Sequence, residues 1–167
     1  MLLSAVLIED NQTIRDSLIP ALRDLAEIEV IAVAETASHA VAALSGSSDS
    51  SDSWQLAVVD LFLREGSGID VLRSMQHRSS HQRVVVLTNY PTPEMRERSM
   101  RLGADAIFDK STELDLFFEW CNQLHMVHLA SNVAPRKKQR PAIAQAALLP
   151  RVTDAPASHP AGASWRR

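Results

Sequence analysis

The sequence predicts an open α/β fold, a parallel β-sheet covered by helices on both faces, followed by a disordered C-terminal tail. Three observations predict it. Five short runs rich in Val, Ile and Leu punctuate residues 1–130 without alternating polar and apolar positions, which is how strands buried on both faces read. Segments with apolar residues three and four apart lie between them. Beyond Ala130 the composition changes to proline, alanine and basic residues.

The elements follow in order. Ala5 to Ile8 is the first strand, and Ile14, Leu18, Leu22 and Leu25 give the first helix its apolar stripe. Pro20 falls inside that stripe, where it is expected to kink or shorten the helix at a cost of ~3 kcal/mol unless the register shifts. Val30 to Ala34 is the second strand. After a second helix, the run SGSSDSSDS, Ser45 to Ser53, reads as a flexible surface loop. Leu56 to Leu63 is the third strand, and Gly66 and Gly68 open a third helix carrying Ile69, Leu72 and Met75. Arg83 to Thr88 is the fourth strand; Pro91 and Pro93 start the fourth helix, and Gly103 follows Leu102 as a helix-ending glycine does. Ala106 to Phe108 is the fifth strand, before a helix with Leu114, Phe117, Phe118, Cys121 and Leu124 on one face. Strands and helices alternating in this way make βαβ units, whose handedness leaves few topologies.

With 167 residues the chain has room for one globular domain and no second full one. Its net charge of −3 conceals a split. Residues 131–167 hold seven of the 17 cations (Arg136, Lys137, Lys138, Arg140, Arg151, Arg166, Arg167) and one of the 20 anions, Asp154, a net of +6, so residues 1–130 carry −9. That tail also holds five of the eight prolines and only Trp165 as an aromatic, so it is expected to stay disordered; Ile143 to Leu149 can form a short helix only on a partner. We therefore divide the chain into a domain at 1–130 and a tail at 131–167. The tail is too short and proline-rich for a helix-turn-helix, so no sequence-specific DNA binding is expected, although RKKQR can touch phosphates nonspecifically, lie against the acidic domain or dock on an acidic partner. No run approaches the ~18 to 20 apolar residues of a membrane helix, and the opening MLLSAVLIEDN has no basic leader, which together predict no membrane association and a cytoplasmic location. The single Cys121 is expected to be a buried structural thiol.

Ligands of open parallel sheets bind beyond the carboxyl ends of the strands. There the sequence places Glu9 and Asp10 after the first run, Asp60 in the third, Thr88 at the end of the fourth, and Asp109 and Lys110 after the fifth. Lys110 is the only lysine in residues 1–130. Crowded carboxylates repel one another unless a hard divalent cation takes their oxygens, and Mg2+ suits a set that combines one or two carboxylates with waters and phosphoryl oxygens. A carboxylate can attack phosphorus to give an acyl phosphate, a reaction served by positioning and by positive charge on the equatorial oxygens. Singly the same residues have plainer readings: Asp10 as a helix N-cap, Glu9 as a solvated loop charge, Lys110 as a surface cation, Thr88 as a strand residue. Of the histidines, His39, His77 and His81 sit in surface-like segments and His159 in the tail; His125 and His128, three apart, read as a solvated helix face rather than a metal pair.

The segments LIEDN, VVDLFLREGSG, VVVLTN and GADAIFDKS stand together in order and at matching spacing, and over residues 3–128 the chain resembles the receiver domain of bacterial two-component response regulators. The resemblance implies a flavodoxin-like (βα)5 sheet in the order 2-1-3-4-5. It implies that Asp60 accepts phosphate from a sensor histidine kinase or phosphotransfer protein. It further implies that Asp10 binds Mg2+ (Mn2+ as an alternative) directly, Glu9 through water, and Asp60 and the Phe62 backbone carbonyl complete the protein's ligands. Thr88 and Lys110 would contact the phosphoryl group. The chain departs from the family pattern at Arg64 and Ser111, both usually proline, at Asn89, usually small, and at Ile107, usually the aromatic ring that moves with the threonine; Tyr90 is a candidate replacement for that ring. The expected function is that of a single-domain response regulator in a phosphorelay, read by an output protein the sequence does not name. It is not an enzyme acting on external substrates: an aspartate-nucleophile phosphatase needs a carboxylate two residues after its nucleophile, and here that residue is Phe62. The alternatives are a receiver fold that binds partners without phosphorylation and a DNA-associated regulator acting through the basic tail.

Overall fold

Side chains along the central strands point alternately to two faces, and each face acquires its own helical cover. The computed structural model describes residues 2–45 and 54–133. Its elements are β1 (Leu3–Ile8), α1 (Gln12–Ala26), β2 (Ile28–Ala34), α2 (Ala37–Ser45), β3 (Leu56–Val59), α3 (Gly68–Ser74), β4 (Arg83–Thr88), α4 (Pro93–Arg101), β5 (Ala106–Asp109) and α5 (Leu114–Val133). All strand pairs are parallel, and the sheet order is β2-β1-β3-β4-β5. Leu3, Ala5 and Leu7 of β1, with Val58 and Val85, pack against Leu18 and Leu22 of α1 and Phe117 and Cys121 of α5. Val6 and Ile8, with Val59 and Val86, pack on the other side against Ala40, Val71 and Leu72 of α2 and α3. A period-2 strand thus feeds two cores at once.

Burial on both faces holds for β1, β3 and β4 but not for β2, which alternates and leaves Ile31 and Val33 exposed. It is an edge strand, with a neighbour on one side only. The third strand stops at Val59 rather than Leu63. Asp60 still donates its N–H to Ile8 O at 2.9 Å, but the chain then folds back, with Phe62 bridging Ser67 and Gly68 N–H reaching Leu61 O at 3.1 Å. α1 runs through Pro20 for 15 residues without being shortened. Burial of Leu18 and Leu22, each worth ~1.5–3 kcal/mol, offsets the ~3 kcal/mol that an internal proline costs. Gly103 adopts φ +95° just past α4, as the sequence suggests. α5 continues through Ser131 to Val133, three residues beyond the expected domain limit. The expectations for residues 46–53 and for the tail from 134 onward lie outside the described residues. Among the described residues no helix is long and apolar enough to cross a membrane.

Cys121 is fully buried, and burial pushes its thiol up to about 12, as befits a structural residue. The solvated face expected for His125 and His128 is not found. His125 is buried, its Nε2 3.6 Å from Glu27 Oε2. His128 meets Gln55, whose Oε1 accepts from Ser4 N–H at 3.0 Å, so it is the amide Nε2 that faces the ring at 2.8 Å. The ring nitrogen there must accept, which requires the neutral form. Burial, with nearby His125 and His81, holds the His128 pKa below its ordinary value of 6.5.

A depressed histidine pKa means that the unfolded chain takes up a proton first. Stability from this group is full above pH ~6.5 and declines as pH falls toward the folded-state value. In His128→Gln the slope of unfolding free energy against pH below 6.5 is expected to be shallower, as measured by urea titrations at stepped pH. α4 gives a second test. Its only buried residue is Ser99, whose hydroxyl has no hydrogen-bond partner among the described residues. An orphaned buried hydroxyl costs ~1–3 kcal/mol, so Ser99→Ala should raise the unfolding free energy by about 1 kcal/mol in the same assay; a loss of stability would mean that the hydroxyl is satisfied in solution.

Candidate functional site

The carboxyl ends of β1, β3, β4 and β5 gather the residues picked from the sequence. The turn after β1 is held by Glu9 N–H on Ala34 O at 3.0 Å and by Asn11, whose side chain accepts from Ile14 N–H at 3.2 Å. Asn11 is therefore the N-cap of α1, and the capping role is not Asp10's. Glu9 is no solvated loop charge either: it is 2% exposed, with Oε1 accepting from Asn11 N–H at 3.0 Å. Asp60, buried directly after β3, accepts on Oδ1 from the Thr88 hydroxyl at 2.7 Å and from Phe62 N–H at 3.1 Å. Lys110 follows β5, with its N–H on Thr88 O at 2.9 Å. Its buried Nζ lies 2.6 Å from Asp60 Oδ2 and also pairs with Glu9 Oε2.

Asp10 completes the group. It is half-buried, and its carboxylate has no hydrogen-bond or ion-pair partner among the described residues. Carboxylate oxygens of Glu9, Asp10 and Asp60 all lie within 4.8 Å of one another. Two unit charges at that separation repel by about 3 kcal/mol at an effective dielectric constant of ~20. Three carboxylates against one ammonium leave two negative charges unbalanced, which a single divalent cation neutralises. Hard oxygen donors crowded on one side, with one carboxylate uncommitted, fit Mg2+, which completes its shell with water and needs no closed protein cage.

Other expected residues lie around this centre. Phe62 and Arg64 are exposed on the loop after Asp60. Tyr90 is 77% exposed with φ +46°, its ring at the rim rather than packed inside. Ile107 is half-buried against the core on the α2–α3 side. Ser111 Oγ lies 3.5 Å from Asn89 Oδ1. Asp109 turns to the chain after it: its carboxyl is held below the usual range chiefly by Ser111 N–H, with Tyr90 N–H contributing.

Three features escaped the sequence reading. Gly68 must be glycine, because a Cβ there would lie 2.1 Å from Asp60 O and 2.7 Å from Leu61 Cα. Arg96 of α4 bonds Glu113 Oε2 at 2.7 Å and Ile107 O at 3.3 Å, and this guanidinium holds the Glu113 carboxyl below its ordinary value. Arg15 of α1 bonds Glu9 O at 2.9 Å and Glu35 at 2.8 Å. The glycine pair at 66 and 68 was a signal for the first; a lone charged residue on a helix signals neither of the others.

This combination of doubly wound sheet and acidic, lysine-bearing strand edge defines a class known from protein families. The model of the response regulator receiver domain matches residues 5–120, and the chain belongs to that family. No curated protein sequence matches the chain. Solved structures similar to it include a LuxR-family DNA-binding response regulator from Staphylococcus aureus (17% identity, TM-score 0.64, 74% of this chain and 98% of that one). Another is the signal receiver domain of a DNA-binding response regulator from Colwellia psychrerythraea 34H (21%, 0.64, 74% and 98%). A third is the phosphorylated cyanobacterial phytochrome response regulator RcpA (21%, 0.62, 78% and 96%). At these identities the likeness concerns the fold.

Because a methyl at position 68 would collide with the backbone that carries Asp60, Gly68→Ala is expected to destabilise the protein by about 2–3 kcal/mol, the range for overpacking at a site that cannot relax. Urea unfolding checks this, and an amide spectrum should show Asp60 and Leu61 among the shifted resonances.

Proposed function

We propose that this receiver is a phosphoacceptor switch: Asp60 takes a phosphoryl group, in the presence of Mg2+, from a sensor histidine kinase or phosphotransfer protein in the cytoplasm, and the phosphorylated form changes its protein partners. The observation that carries the reading is the Asp60 carboxylate gripped by Thr88 and Lys110 beside an Asp10 whose carboxylate has no partner among the described residues. Family membership and the phosphorylated state named for one structural neighbour support it.

On this reading one Asp60 carboxylate oxygen forms a bond to phosphorus while the bond from phosphorus to the donor nitrogen breaks, the electron pair leaving with the imidazole. Glu9, Asp10, Asp60 and the Phe62 backbone carbonyl would hold Mg2+, or Mn2+ in its place, which when bound supplies positive charge to the phosphoryl oxygens. Thr88 and Lys110 already donate to the two Asp60 oxygens, so a small shift brings the same donors onto the transferred group's equatorial oxygens. Phe62, two residues past the acceptor, has no proton to give a leaving group, which weighs against turnover of external substrates. Ile107 cannot supply a swinging ring, and exposed Tyr90, joined to Thr88 through one residue, is the candidate for that part.

Incubation with acetyl phosphate and Mg2+ should add ~80 Da to the wild-type chain, in an acid-stable and base-labile form, and nothing to Asp60→Asn. Thr88→Ala should slow the labelling by about 10²-fold, the usual loss for one donor to a developing oxyanion. An equal adduct on Asp60→Asn would overturn the assignment.

A further inference from the structure

Arg15 stands one turn into α1, with a guanidinium that does two things at once. Nη1 donates to the main-chain oxygen of Glu9 at 2.9 Å, and Nη2 pairs with Glu35 Oε1 at 2.8 Å. Its side chain is 13% exposed, whereas Glu35, just past the end of β2, is 43% exposed. The guanidinium therefore joins α1 and the end of β2 to the peptide between Glu9 and Asp10. The other fixed points of that turn, Glu9 N–H on Ala34 O and Asn11 N–H on Glu9 Oε1, lie on the Glu9 and Asn11 sides, and among the described residues no side-chain bond restrains Asp10 itself. Where the Asp10 carboxylate points thus depends on how the 9–10 peptide is held, and Arg15 is the side chain that holds it.

We propose that Arg15 is a positioning residue for the metal-binding half of the site, acting through the Glu9 carbonyl to aim the Asp10 carboxylate toward Glu9 and Asp60. The inference rests on the Mg2+ reading above. Its sign separates it from an electrostatic role. As a bare positive charge beside a cation site, Arg15 would oppose metal binding, and removing it would tighten the metal. As a positioning group it favours binding, and removing it loosens the metal. Glu35 neutralises the guanidinium, which leaves geometry as its main contribution. Lysine cannot stand in, because a single ammonium lacks the planar fork that meets a carbonyl and a carboxylate together.

The experiment is Mg2+ titration by calorimetry on the full chain, without any phosphodonor, for wild type, Arg15→Gln, Arg15→Lys and Asp10→Asn, with thermal unfolding of each in EDTA. The expected result is a Kd raised about tenfold in Arg15→Gln and in Arg15→Lys alike, the low end for groups that orient metal ligands, with metal-free unfolding still cooperative. Tighter or unchanged Mg2+ binding in Arg15→Gln, or wild-type binding in Arg15→Lys, overturns the inference while leaving the Mg2+ site standing. Wild type that binds no Mg2+, or binds it no better than Asp10→Asn, overturns the underlying reading and this inference with it. Should Arg15→Gln fail to fold, Arg15→Lys, which keeps the charge and the alkyl stem, decides the matter by the same Kd comparison.

Discussion

The ammonium of Lys110, buried between Glu9 and Asp60, is the constraint on which the rest of the structure depends. Its two carboxylate partners are 101 and 50 residues away in the chain, after β1 and β3, while the lysine follows β5. In this sheet β1 and β3 are neighbours and β4 lies between β3 and β5, an order that lets one side chain reach both. Desolvating three charged groups is costly, and breaking one pair leaves an unpaired buried charge worth several kcal/mol. The pairing is therefore weak evidence for net stability but strong evidence for register. Strand β1 cannot slip past β3 without pulling Glu9 or Asp60 away from the lysine.

Much of this was legible in the sequence, for a physical reason. A strand buried on both faces admits no charge along its length, so a carboxylate that interrupts such a run must lie at its end, and the ends of parallel strands share one edge. Glu9, Asp10, Thr88 and Lys110 follow from that logic; Asp60 interrupts an apolar run that reads on to Leu63, and the strand in fact stops before it at Val59, so that all five residues share one edge. What stayed hidden depends on contacts between elements rather than on periodicity. The edge position of β2, the grip of Arg15 on a carbonyl, and the burial of His125 under Glu27 are facts of packing, and each residue taken alone reads as an ordinary surface group. Asn11 rather than Asp10 at the helix start shows the same limit at short range: two adjacent residues both suit a cap, and only the folded backbone shows which of them takes it.

The site is stiff on one side and loosely held on the other. β1 and β3 sit in the middle of the sheet with Glu9 and Asp60 nearly sealed from solvent. α4, by contrast, fully buries a single residue, Ser99, whose hydroxyl has no partner among the described residues; half-buried Met95 packs against the core, and Arg96 adds its contacts to Glu113 and to the carbonyl of Ile107. An element that buries so few of its residues opens at lower free energy than the core does. Where the family usually places a ring, this chain has a branched aliphatic residue pinned from its backbone by an arginine.

That contrast bears on how a charge placed on Asp60 could be felt at a distance. Thr88 is wholly buried, and the chain after it passes through Asn89 to Tyr90, whose φ of +46° is uncommon for a residue with a side chain and whose N–H helps hold the Asp109 carboxyl below its usual range. Asp109 in turn fixes Ser111, and its own N–H is held by Glu113, the partner of Arg96. On the proposed reading, a displacement of the Thr88 hydroxyl from Asp60 toward a phosphoryl oxygen would act first on a turn in a sparsely populated conformation, and next on the polar contacts of α4. Neither step requires an aromatic side chain at position 107. The substitution of Ile107 for a ring is then compatible with signalling, provided the β4–α4 turn and the Arg96–Glu113 contact carry what a moving ring carries elsewhere.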